Sequence, residues 1–143
     1  MPAEAAARWL VLSGSGAMLA ACLLGVAMLV PLQHQDGRAK VRASLLSAHL
    51  DWIMLGLMEG LAAGLCALFD LQPAAWVIAT MIFGAWANPL PYLFRAFGVD
   101  AFRFAGGPVQ RLSASLGALS SLAIIVSWAS LLVLAAQSEK RLW

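Results

Sequence analysis

Four long apolar runs separated by short polar breaks organise the chain, approximately residues 9–32, 45–69, 73–98 and 112–136. At about 1.5 Å per helical residue each run spans a hydrocarbon layer of roughly 30 Å, so the pattern predicts four transmembrane helices. The first break, QHQDGRAKVR, has Gly37 for its turn. The second, DLQP, closes one helix at Asp70 and opens the next with Pro73 near its first turn, which predicts a tight antiparallel hairpin of the second and third helices. Almost no chain is left outside these runs, so residues 1–143 read as a single domain, an all-α four-helix membrane bundle. The first run is longer than the apolar core of a secretory signal and reads as a retained helix.

Composition agrees with this pattern and narrows it. The chain is 62% hydrophobic and 11% charged, too little charge for a water-soluble domain of this size. A net charge of +2 from scattered Lys and Arg leaves no nucleic-acid footprint, so the lipid bilayer is the expected surrounding. Cys22 and Cys66 both fall within predicted spans and no CxxCH occurs, which argues against a disulfide framework, a zinc site or covalent haem attachment. An even number of spans puts both termini and DLQP on one side, with Arg8, Lys140 and Arg141; the other side holds Arg38, Lys40, Arg42, Arg95, Arg103 and Arg111. The positive-inside bias then makes the termini extracytoplasmic, in a membrane of the bacterial inner type.

Gly56, Gly60 and Gly64 recur every four residues on the second helix, and Ser13, Gly14, Ser15 and Gly16 give the first helix a second small-residue face. Small residues at that spacing let helix backbones approach closely in lipid, either within one subunit or between subunits.

The polar residues inside the spans are the candidates for chemistry. The stretch SAHLDWIMLGLMEG carries His49, Asp51 and Glu59. At about 100° per residue Glu59 lies about 80° from His49, so the two line neighbouring sides of one cavity at different depths, while Asp51 lies about 160° away. Its place near the predicted helix start suits Asp51 to capping, the helix dipole or the water interface. Glu59 is deeper, where an ionisable group is by default functional and otherwise a neutral carboxyl hydrogen-bonded between helices. His49 is the one histidine inside a span, and serves either as a helix-to-helix hydrogen-bonding group or as a haem ligand. In the third run, GAWANPLPYLFR, Pro89 and Pro91 interrupt the hydrogen-bond ladder and free carbonyls that need partners. Asn88 and Tyr92, one turn apart, share a face there; read singly, Asn88 satisfies those carbonyls and Tyr92 joins an interfacial aromatic belt with Trp76 and Trp143.

Together, SAHLDWIMLG and AWANPLPYLF resemble the small four-helix membrane isomerases that include hydroxylaminobenzene mutase and styrene oxide isomerase. The matching positions are His49, Leu55, Gly56, Trp86, Ala87 and Asn88, and FAGG, Phe104 to Gly107, is similar to the mutase branch's glycine-rich turn before the last helix. The resemblance runs from about Leu45 to the end of the chain. It implies a homotrimer holding haem b at its subunit interfaces, with His49 as axial ligand of the iron and Trp86 beside the cofactor. It further implies Tyr92, with Asn88 and Glu59, as the catalytic group acting on a small apolar aromatic substrate. The reaction would be an intramolecular rearrangement, epoxide to carbonyl or arylhydroxylamine to aminophenol. Leu55 stands where that family has asparagine, and Glu59, one turn further on, is the expected substitute for the missing polar group. The alternatives are a non-catalytic haem-binding membrane protein and a structural or accessory subunit whose polar residues only join helices.

Overall fold

Helix α1 (Ala3–Leu29), with no proline inside it, covers most of the first apolar run. The computed structural model describes residues 1–29 and 38–138, so His34, Gly37, Lys140, Arg141 and Trp143 lie outside the described residues. The second helix, α2 (Arg38–Phe69), begins well before residue 45, because RAKVR, read from the sequence as part of a polar break, is helical. Arg, Ala and Lys are good helix formers, and charge alone does not end a helix. Asp70 does end it, in the left-handed region at φ 53°, and the N–H of Leu71 returns to the carbonyl of Cys66 at 3.0 Å. That is a Schellman-type close, with Asp serving where glycine is commoner.

The third run is divided as its prolines require. Helix α3 (Ala75–Ala87) stops at Asn88, and α4 (Leu90–Ala96) resumes beyond Pro89. Helix α5 (Pro108–Gln137) opens with proline in its first turn, behind a cap in which the N–H of Gly107 donates to Gln110 Oε1 at 2.9 Å. Gly106 ahead of it has φ 122°, and a Cβ there would collide with the Gln110 side chain, so this turn requires glycine. With α3 and α4 counted as one interrupted span, four helical segments among the described residues are long and apolar enough to cross a membrane.

Helix α1 packs along α2, α3 along α5, and the short α4 lies against α2. The N-terminal amine donates to the carbonyl of Pro73 at 2.8 Å and Ser138 Oγ to that of Phe69 at 3.2 Å. These bonds gather the N-terminus, the DLQP turn and the end of α5 at one end of an up-down-up-down bundle. One apolar cluster, including Leu10, Cys66, Val77 and Leu131, fills that end; a second, around Ala17, Ala21 and Trp52, lies further along the bundle.

The small-residue faces separate into two roles. A Cβ on Gly14 would lie 2.7 Å from the carbonyl oxygen of Gly56, and one on Gly56 would lie 2.8 Å from that of Gly14. These two glycines are therefore the α1–α2 crossing inside one chain. Gly60 and Gly64 meet nothing within 4 Å, so their side of α2 is open. Gly84 makes a second close crossing: a Cβ there would collide with the Ile124 side chain and lie 3.0 Å from the Ser120 carbonyl of α5. Thr80 and Ser127 tie the same pair of helices by a 2.8 Å hydroxyl–hydroxyl bond.

Candidate functional site

Because α2 starts at Arg38, Asp51 is more than three turns into the helix and caps nothing, which corrects its expected place at the helix end. Its carboxylate instead accepts a 2.7 Å hydrogen bond from Asn88 Nδ2, at the break between α3 and α4. Asn88 Oδ1 in turn accepts from Ser120 Oγ at 3.1 Å and Ser121 Oγ at 3.0 Å on α5. Asn88 thus joins three helices, and its side chain binds side chains rather than the carbonyls freed by the prolines. The partners fix its orientation: a carboxylate only accepts, so the amide nitrogen faces Asp51 and the oxygen faces the serines.

Asn88 and Tyr92 line one cavity of about 330 Å³. Phe102 and Phe104, from the segment between α4 and α5, add aromatic wall, and Gly117 and Ser121 form its α5 side. Tyr92 and Phe102 hold each other, with ring centroids 5.1 Å apart, and Arg95 sits 5.8 Å from the Phe102 ring centre. The cavity combines aromatic walls with a few convergent polar groups, the ordinary character of a small-molecule site.

Glu59 and His49 lie elsewhere. Both face α1, as their angular spacing on α2 suggests, while Asp51 faces the opposite way, toward Asn88. Glu59 is 1% exposed, and its Oε1 accepts from Ser13 Oγ at 3.0 Å. Ser13 Oγ accepts in turn from Trp86 Nε1 at 3.0 Å, so an indole, a hydroxyl and a carboxyl link α3, α1 and α2. Glu59 Oε2 and Trp52 Nε1 are buried with no hydrogen-bond partner. Trp86 is 39% exposed; it crosses α1 at Gly16, where a Cβ would lie 3.1 Å from the indole, and meets Trp52 edge-on at 6.4 Å. Leu55 is buried, and Glu59, its expected polar substitute, does not line the cavity; the carboxylate that touches the cavity's Asn88 is Asp51, one turn before Leu55.

His49 Nδ1 lies 2.7 Å from the carbonyl oxygen of Ala21. A carbonyl only accepts, so Nδ1 carries the proton, and in the neutral ring the lone pair is then on Nε2. The ring rests on Gly25, where a Cβ would approach Cε1 to 3.0 Å. An imidazole whose second nitrogen is anchored on a backbone carbonyl is oriented as metal-binding histidines are. Among the described residues no group of three or more His, Cys, Asp or Glu side chains is placed to hold a metal ion by itself.

Sequence reading singled out Asn88, Tyr92, Trp86, Glu59 and His49, weighed Ser13 only as part of a small-residue face and did not weigh Ser120 or Ser121, because hydroxyls in an apolar helix usually bond their own backbone. The Gly117 carbonyl, 3.0 Å from Ser120 Oγ and 2.9 Å from Ser121 Oγ, offers them that bond as the alternative to Asn88.

No protein-family model, curated protein or solved structure matches this chain. The fold defines its class directly: among the described residues it is all-helical, with four segments long and apolar enough to span a membrane.

Proposed function

We propose that the protein is a membrane-embedded, haem b-dependent isomerase that rearranges a small apolar aromatic substrate within the molecule, epoxide to carbonyl or arylhydroxylamine to aminophenol. The observation that carries this reading is the aromatic-walled cavity lined by both Asn88 and Tyr92. A cavity of about 330 Å³ has the size of a site for a small ligand, and a lipid-soluble substrate reaches it from the bilayer. Its phenyl and phenol walls accept an aromatic ring, while the Tyr92 hydroxyl and the Asn88 amide hydrogen-bond the reacting oxygen. Exclusion of water strengthens those hydrogen bonds and protects a cationic centre from capture.

His49 would hold the haem through Nε2, with the Ala21 carbonyl fixing the ring, and Trp86 is an exposed aromatic surface for the cofactor. When bound, ferric haem iron supplies Lewis acidity toward the substrate oxygen. His49 does not line the Asn88–Tyr92 cavity of its own chain, so this reading requires a homotrimer in which neighbouring subunits complete each site. The termini are extracytoplasmic in this arrangement.

The test is spectroscopic and catalytic. Protein purified after haem-supplemented expression should show a Soret band lost in His49→Ala, and should turn over styrene oxide or phenylhydroxylamine. A Soret band without turnover of either leaves a non-catalytic haem protein, and a colourless wild type removes the haem reading altogether.

A further inference from the structure

The carboxylate of Asp51 is held on the cavity's own Asn88, and nothing in the proposed chemistry yet uses it. A primary amide carries two N–H groups and one carbonyl oxygen. Asp51 takes one N–H at 2.7 Å, and the hydroxyls of Ser120 and Ser121 occupy the oxygen at 3.1 and 3.0 Å. The second N–H is the part of the amide left for the cavity that Asn88 lines. Without the carboxylate the amide is free to turn over, because a serine hydroxyl accepts from an amide nitrogen as readily as it donates to the oxygen, and each has the Gly117 carbonyl as an alternative acceptor for its proton.

We infer that Asp51 is a positioning residue: it fixes Asn88 so that the cavity presents an N–H donor, and it thereby selects aromatic ligands that carry an acceptor oxygen next to the ring. This rests on reading the Asn88–Tyr92 cavity as the ligand site, and it concerns binding, independently of haem and of turnover. Discrimination arises because a buried donor left without an acceptor loses a hydrogen bond that water no longer replaces.

The experiment compares acetophenone with ethylbenzene, molecules of similar shape of which only the ketone has an acceptor. Their affinities are measured by ligand-observed NMR on the full-length protein in nanodiscs, each corrected for partition into protein-free discs. The wild type should prefer acetophenone about tenfold, the worth of one hydrogen bond to a buried neutral group. Asp51→Ala should lower that preference about threefold or more, leaving what the Tyr92 hydroxyl supplies. Asp51→Asn should reduce the preference as well, since an amide at 51 donates as readily as it accepts and pairs with Asn88 in either orientation. A purely structural role for Asp51 would weaken both ligands alike and leave their ratio unchanged. Equal affinities in the wild type, or an unchanged ratio in Asp51→Ala or in Asp51→Asn, would each overturn the assignment. If Asp51→Ala does not fold, the wild type and Asp51→Asn still decide it. A chain that shows the preference but rearranges no substrate refutes the isomerase and leaves this inference standing.

Discussion

The α1–α2 crossing gives the sharpest mutational contrast in the molecule, between Gly56 and Gly60 on the same helix. Alanine at Gly56 places its Cβ 2.8 Å from the Gly14 carbonyl oxygen and 2.9 Å from Met18 Cγ, where ordinary contact begins at 3.4 Å. The methionine can swing aside; the carbonyl is backbone, so the helices must separate by about half an ångström. Alanine at Gly60 meets nothing within 4 Å. Both substitutions gain the same intrinsic helix propensity, about 1 kcal/mol, so their difference isolates the steric term. Overpacking of a close contact costs about 1–3 kcal/mol, and Gly56→Ala should be less stable than Gly60→Ala by that amount. Reversible unfolding by SDS titration in mixed micelles measures it, with oligomer size recorded for each variant. If the two variants agree within about 0.5 kcal/mol, well below the expected overpacking cost, the backbone contact is not where it is placed here.

The remaining predictions concern the polar groups. Tyr92→Phe should keep haem while slowing turnover about ten- to a thousandfold, the range for removing one preorganised donor, as measured by product formation against Soret absorbance. Co-expressed with His49→Ala, it should regain part of the activity in mixed oligomers if His49 and Tyr92 of one site come from different chains; no regain places both in one chain. Glu59→Gln preserves the Ser13 bond and should retain activity within about threefold, whereas Glu59→Ala strips that acceptor and should cost about 1–3 kcal/mol of stability. A large activity loss in Glu59→Gln, with haem and stability retained, would instead show that the carboxyl itself takes part in the reaction.

Much of the bundle was legible because lipid imposes strong rules on sequence. Apolar length gave the spans, and DLQP gave the hairpin, whose Asp70 is the left-handed residue that ends α2. The prolines at 89 and 91 gave the break between α3 and α4. The start of α2 was less legible, since RAKVR is polar enough to resemble a loop while its residues favour helix. That one boundary hid Asp51, which looked terminal and is internal. The glycine spacing could not say which neighbour each glycine meets: a four-residue step advances about 40° around the helix, so Gly56 faces α1 while Gly60 and Gly64 face outward. Ser120 and Ser121 carried no pattern of their own and Ser13 only that of a small-residue face; the packing of α1 and α5 reveals what they hold.

Helix α2 therefore carries its ionisable groups on two faces for two purposes. Toward α1 it presents His49 and Glu59, whose α1 partners Ala21 and Ser13 lie about 12 Å apart along the axis, on either side of the Gly14 and Ala17 contacts. Toward the break in the third span it presents Asp51, which secures the amide lining the cavity. Burying these groups is costly in hydrocarbon and is offset here by hydrogen bonds to neighbouring helices, through the Ala21 carbonyl, the Ser13 hydroxyl and the Asn88 amide, so each also fixes a helix pairing. Asp51, Asn88 and the two serines set the height of α2 and α5 against the α3–α4 break. A change that loosens this junction should thus alter the cavity before it unfolds the bundle, because α1–α2 and α3–α5 retain their own glycine crossings.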